Sequence, residues 1–510
     1  MRAPWMVLAL LLVAGCSPTE SAQTTMATTQ PPVTATAAAA PTTSTAAVSG
    51  EAASCPSVEP GIGDSLFPGL GNIGYDVARY ELELEFEFPE DVTEPRTFAG
   101  TATIHATATD RLAAFNFDAT ELDVSKVTVD GQVAQWCTED RELTIVPGEA
   151  IGSGTAFSAT VEYSGFARPR TEVTAFQTGL MRAGPGLVAI DQPNGASSWF
   201  PSNDHPLDRA QFRLSMTVPA DREVVSAGDL QSVEEGASTS TYVWETVEPM
   251  PPYLLPFAIG RFEEVEGEGP DGLPLTFYYE EGLDSSVRAG FSQMGRMIEL
   301  FESLFGPYPF DRAGALVVGS GAFVALETQP IHTYTHTILE EPLIGPQPVI
   351  AHETAHQWFG DWVAVADWND IWLNEGFATY AEYLWAEEVG GIERANGQIS
   401  LDYAGFSGFA EEQQLSPPGN IPSRPDMFSA SVYVWGGFTL VALRDEVGDE
   451  VFFDILRTWV ERYGGSNATT DDFLALVEEK GGAEARDLVR RWLFSPTLPP
   501  LTARGLGTEG

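Results

Sequence analysis

The sequence predicts a multidomain protein: an N-terminal all-β domain, then a mostly helical α+β domain, the pair carried on an unstructured leash. Three observations predict it. Tyr80 to Phe88 reads YELELEFEF, apolar at every second position with Glu81, Glu83, Glu85 and Glu87 between, the alternation of a strand with one wet face. Similar short runs recur to about residue 265, broken by Gly, Pro and Asp. Beyond them the apolar period lengthens to that of helices, and residues 17–54 hold almost nothing large and apolar. At ~150 residues per domain, a chain of 510 leaves room for about three units.

Arg2 and the apolar run Val7 to Val13, too short to span a bilayer, form a signal peptide over 1–15. Val13-Ala14-Gly15-Cys16 resembles the bacterial lipoprotein cleavage box, in which small residues admit the peptidase and the thiol accepts the lipid. Lipidated Cys16 is then the membrane anchor, and the expected location is the outer face of the bacterial cell membrane. Residues 16–58, rich in Thr, Ala, Ser and Pro, cannot offset chain entropy by burial and read as a disordered tether. Export permits a disulfide between Cys55 and Cys137, with two buried thiols as the alternative.

The β domain is assigned to 59–265, with strands after the first at 98–107, 124–130, 142–146, 157–163, 211–218, 222–226, 241–245 and 254–265. The second domain is assigned to 266–500, with 501–510 as a tail. Its strands fall near 274–279 and 314–318, and helical spacing covers 284–305, 346–360, 370–389, 432–447, 450–463, 470–480 and 484–493.

Seventy-three acids face 26 bases, a formal net charge of −47, and only Lys126 and Lys480 are lysines. Such a chain repels phosphate backbones and anionic lipid surfaces, which excludes nucleic-acid binding and peripheral membrane association through charge. Acidity alone does not say what the chain does bind.

The chemistry lies in the second domain. His352-Glu353-Thr354-Ala355-His356 places two imidazoles four residues apart on one helical face, where both reach a single ion. Glu353 is placed to take a proton from the attacking water. An open tetrahedral zinc site needs a third ligand, and Glu375 supplies it from a second helix beginning near Asn369-Asp370, eighteen residues separating it from His356. Asp361, Asp370 and Asn374 are candidates for orienting the imidazoles, or simple helix caps. His332 and His336, in the β-leaning stretch IHTYTH, are read as histidines with no metal role.

HETAHQWFGD followed by WLNEGFA resembles the zinc aminopeptidases of the aminopeptidase N group. GNIGYDV at 71–77 and WFPSNDHP at 199–206 resemble its N-terminal domain, so the likeness spans roughly 62–495. The resemblance implies a saddle or sandwich β domain before a thermolysin-like catalytic domain, one zinc per chain, and peptide substrates with a free N-terminus. In the family a Gly-Ala-Met-Glu-Asn strand holds the substrate's amino group. Val324-Ala325-Leu326-Glu327-Thr328 matches it at Ala325 and Glu327 and departs at the other three positions. The resemblance also implies that Gln192 is a second amino-group contact and that Tyr433, in VYVWGG, donates a hydrogen bond to the tetrahedral intermediate.

The activity expected is removal of N-terminal residues from peptides at the cell surface by a monomer. The alternatives are a thermolysin-type zinc endopeptidase, a leukotriene-hydrolase-like epoxide hydrolase and a non-catalytic surface-binding lipoprotein. Many family members continue into a large helical C-terminal domain that roofs the site. This chain ends at Gly510 and reads as a short form with a more open site.

Overall fold

Alternation along Tyr75–Glu87 buries Tyr80, Leu82, Leu84 and Phe86 and leaves Glu83, Glu85 and Glu87 in solvent, as one-sided sheet packing requires. In this computed structural model, which describes residues 55–58, 61–89, 95–170, 177–342 and 344–501, that strand lies inside an eight-stranded sheet. It pairs antiparallel with Arg96–Ala108 and parallel with Gln211–Pro219. A three-stranded sheet (Phe115–Asp118, Glu142–Val146, Gln135–Glu139) and a five-stranded sheet that includes Thr178–Ala183 and Gly186–Ile190 cover its apolar face. Aromatic contacts stitch the layers: Phe115 meets Phe157 at 5.2 Å and Phe86 meets Phe257 at 5.9 Å. Cys55 and Cys137 form a disulfide with Cα atoms 5.6 Å apart. The signal peptide, Cys16 and all but 55–58 of the tether lie outside the described residues. No described helix is long and apolar enough to cross a membrane.

The domain boundary is earlier than the expected 265/266. Phe262–Glu268 pairs with Pro274–Glu280 and is the edge of the second domain's sheet, so the change of sheet falls after Phe257–Gly260. Alternation alone cannot show which sheet a strand joins. In this five-stranded sheet Pro274–Glu280, Ala313–Val318 and Ile331–Thr335 run parallel, and the short strand Ala325–Leu326 closes the other edge antiparallel to Ile331–Thr335.

The short helix His336–Leu339 follows this sheet, and the longer helices are Ser286–Phe291, Met294–Phe305, Pro346–His356, Trp372–Gly390, Ile392–Gln413, Gly436–Tyr463 and Thr470–Phe494. The last two are each broken by a left-handed glycine, Gly448 at φ 77° and Gly482 at φ 87°, which is why the sequence shows four helical segments there. Ile392–Gln413 is absent from the sequence reading. Its buried positions Ala395, Ile399, Asp402, Phe406 and Ala410 keep helical spacing, but small and polar side chains and three internal glycines mask the period.

The two domains share one continuous core. Asp64 is their clasp: its buried carboxylate accepts from the amides of Leu66, Phe67 and, across the boundary, Trp368 at 2.7 Å, and lies 3.1 Å from His205 Nε2. Burial alone would raise this carboxyl, but His205 and the amides hold it below its ordinary value. The stretches 71–77 and 199–206 meet in the same place, Asn203 accepting from the Asn72 amide at 2.6 Å, so their role is structural. Because Trp368 opens the turn into Trp372–Gly390, the β domain helps fix where Glu375 stands.

Candidate active site

Pro346 starts the helix that ends at His356, its lost N–H being one the first turn leaves unbonded anyway. His352 and His356 stand one turn apart with ring centroids 4.7 Å from each other, both buried. Glu375 Oε2 from the neighbouring helix lies 3.2 Å from His352 Nε2 and 3.4 Å from His356 Nε2. The other ring nitrogens are taken: His352 Nδ1 bonds Glu382 Oε1 at 2.8 Å and His356 Nδ1 bonds the Phe359 carbonyl at 2.9 Å. Those bonds hold both rings so that the two Nε2 atoms and Glu375 Oε2 converge on one point, where they could serve as the three donors of a tetrahedral zinc ion with one open position. Glu382 and the Phe359 carbonyl are absent from the sequence reading. Glu382 is two helical turns beyond Glu375, so the helical period is the signal available for it.

Neither Asp361 nor Asp370 orients an imidazole. Asp361 accepts from Gln357 Nε2 at 2.7 Å, Asp370 accepts from the Thr470 hydroxyl at 2.5 Å, and the Asn374 amide is buried with no hydrogen bond to either histidine. His332 bonds Tyr334 through Nδ1 at 3.1 Å, and neither it nor His336 belongs to a metal-capable group among the described residues.

One pocket is lined by His352, Glu353, His356, Glu375, Glu327, Gln192, Ala325 and Tyr433, so the expected metal, catalytic and substrate-binding residues come together there, without Asp361, Asp370 or Asn374. Glu327, buried at the end of Ala325–Leu326, accepts from Gln192 Nε2 at 2.7 Å. Half-buried Ala325 is on an edge strand whose only sheet neighbour among the described residues is Ile331–Thr335. Tyr433 sits in a π-helical turn, Ser431–Trp435, with its ring 5.9 Å from that of His352 and inclined 20° to it. The approach depends on glycine: a Cβ on Gly376 would lie 2.9 Å from the Gly436 backbone, so only bare backbones let the Tyr433 segment close on the Glu375 helix.

Residues 77–254 match the peptidase M1 N-terminal domain and residues 290–492 the peptidase family M1 domain. An M1 zinc metallopeptidase from Deinococcus radiodurans, solved as a point mutant bound to a Tyr-Ser-Ala substrate, superposes with a TM-score of 0.79 at 30% identity, over 86% of this chain and 99% of that one. The chain belongs to peptidase family M1. Among curated relatives, aminopeptidase M1-A of Oryza sativa is 28% identical over 72% of this chain and 43% of its own length. Probable aminopeptidase 2 of Sulfurisphaera tokodaii is 24% identical over 83% of this chain and 54% of its own. This M1 chain thus spans about half, or less, of the length of these two curated relatives.

Charge in this M1 site is arranged for acid–base work. Burial pushes the Glu353 carboxyl up to about 8 against the pull of the two imidazoles, with Glu327 and Glu375 adding to the rise. Burial would raise Glu375 too, yet His356 and His352 hold it down at about 2, so it stays ionised, as a metal donor must be. Burial pushes the Tyr433 phenol well above its ordinary value, and the acids Glu375, Glu327 and Glu353 push the same way, so it stays protonated and able to donate.

Proposed function

We propose that this M1 chain is a zinc-dependent aminopeptidase that releases N-terminal residues from peptides. The observation that carries the reading is the Gln192–Glu327 pair, 2.7 Å apart, on the wall of the pocket that holds the three metal donors. An endopeptidase has no use for a buried carboxylate there, whereas a peptide's terminal ammonium does. His352, His356 and Glu375 would hold the zinc. Zinc bound there supplies Lewis acidity, lowering the pKa of a water toward ~7 and polarising the scissile carbonyl.

The chain's own residues do the rest. Glu353 accepts the proton of the attacking water and passes one to the leaving amine. Tyr433 donates a hydrogen bond to the carbonyl oxygen as negative charge develops on it. Glu327 accepts from the terminal ammonium with Gln192 beside it, and the open edge of Ala325–Leu326 holds the peptide backbone as an added strand. Attachment through lipidated Cys16, which would put the site at the cell surface, rests on the residues Val13 to Cys16.

The test is a panel of aminoacyl-arylamides with their N-acetylated counterparts, assayed on the parent, Glu353→Gln and Glu327→Ala. Zinc-dependent release from unblocked substrates is expected, abolished by the first variant and weakened in KM by the second. Equal cleavage of blocked and free substrates would make the chain an endopeptidase and overturn the reading.

A further inference from the structure

An aminopeptidase must hold two centres at a fixed separation: the metal donors that meet the scissile bond and the carboxylate that meets the ammonium. The donors ride on a helix and Glu327 rides on a sheet edge, so something must join them. The two elements pack on each other, and among the described hydrogen bonds one side chain links them. Gln357, one residue past His356 and fully buried, donates from Nε2 to the Glu327 carbonyl oxygen at 3.0 Å and to Asp361 Oδ2 at 2.7 Å. A backbone carbonyl can only accept, which fixes the amide's orientation, because only the NH2 end can face it. Its own Oε1 makes no hydrogen bond to the described protein.

Asp361 is an anchor in its own right. It is buried, and its backbone amide bonds the His356 carbonyl at 3.1 Å. Burial and Glu327 push its carboxyl up, while Arg209 from the β domain pulls the other way. Glu327 is therefore gripped twice, its carboxylate by Gln192 of the β domain and its main chain by Gln357 at the C-cap of the metal-donor helix. The first grip orients the charge, and the second sets how far that charge stands from the donors.

We propose that Gln357 is a positioning residue, which couples the amine-binding strand to the metal-donor helix and so sets the separation that selects a terminal residue. The proposal rests on the aminopeptidase reading. Losing the donor leaves the Glu327 carbonyl unbonded on that side and frees the strand to shift, which weakens capture of the ammonium without removing a group from the reacting atoms.

The experiment measures kcat, KM and zinc stoichiometry of the full chain with leucyl-arylamide for the parent, Gln357→Met, Glu327→Gln and the double variant. Methionine has nearly the same shape and no donor. The expected result is a KM increase of about tenfold, kcat within about threefold, and one zinc retained per chain. In the Glu327→Gln background the same substitution should add little, because the strand no longer carries the charge that Gln357 positions. If Gln357→Met does not fold, Gln357→Asn replaces it, keeping the amide but withdrawing it by one methylene, and the same KM rise is expected. An active parent whose variant keeps the parent KM, loses its zinc, or shows the same KM rise without the Glu327 carboxylate overturns the inference alone. A parent inactive on every unblocked substrate overturns the aminopeptidase reading and the inference with it.

Discussion

Replacing Glu382 by leucine tests how the metal donors are oriented. Its Oε1 stands 2.8 Å from His352 Nδ1, a charge-assisted contact to a ring whose side chain is only 9% exposed. The bond fixes the tautomer, leaving the Nε2 lone pair for the metal, and raises its basicity. Outer partners of this kind are worth about 10–100-fold in metal affinity, or roughly 1.4–2.8 kcal/mol. Glu382→Gln keeps an acceptor and loses the charge, so about tenfold is expected. Glu382→Leu loses both and leaves a buried ring nitrogen without a partner, so its loss should approach about a hundredfold. The assay is competition for zinc against a chromogenic chelator, with circular dichroism confirming that each variant is folded. A folded leucine variant that binds zinc as tightly as the parent would refute the reasoning.

Three further outcomes are expected. Tyr433→Phe should lower kcat by about 10²–10³-fold with zinc content unchanged if the phenol is the oxyanion donor proposed above; steady-state kinetics and metal analysis check it. Asp64→Ala should cost about 3 kcal/mol in urea unfolding, because it strands the buried amides of Trp368 and Phe67, and a loss under about 1 kcal/mol would show that the clasp is dispensable. Burial raises Asp208 to about 7 although Asn203 and the Val77 amide bond it. Against an unfolded value near ~3.9, a raised carboxyl stabilises at low pH and loses that stability as pH rises through its folded value. The loss between about pH 6 and pH 8 is about 1.4 kcal/mol. The melting temperature should therefore fall over that window, and Asp208→Asn should flatten the fall; an unchanged slope counts against it.

How far the site can be read follows from the range of each interaction. His352, Glu353 and His356 are legible because four residues on a helix is a local distance, and Glu375 because its helix carries its own period. Glu327 and Tyr433 come only through resemblance, since no spacing in the chain brings residues 327, 353 and 433 to one pocket. Glu382 is within reach of the helical period, but nothing local says which ring nitrogen needs a partner. The long helix Ile392–Gln413 is hidden because its packing face is built largely from small side chains.

Alternation and helical period, local consequences of backbone geometry, are enough to give the order β domain then mostly helical domain and the pair of donors on one helix face. The acidic balance that excludes polyanions is likewise countable from the chain. Tertiary structure alone decides which sheet Phe262–Glu268 joins, that Asp64 ties the β domain to the Glu375 helix, and that Gln357 links that helix's partner to Glu327. The reason is physical. Those contacts join residues as far as 304 positions apart, or a side chain to a backbone carbonyl in another element, and their energy exists only once packing has brought them within hydrogen-bond reach.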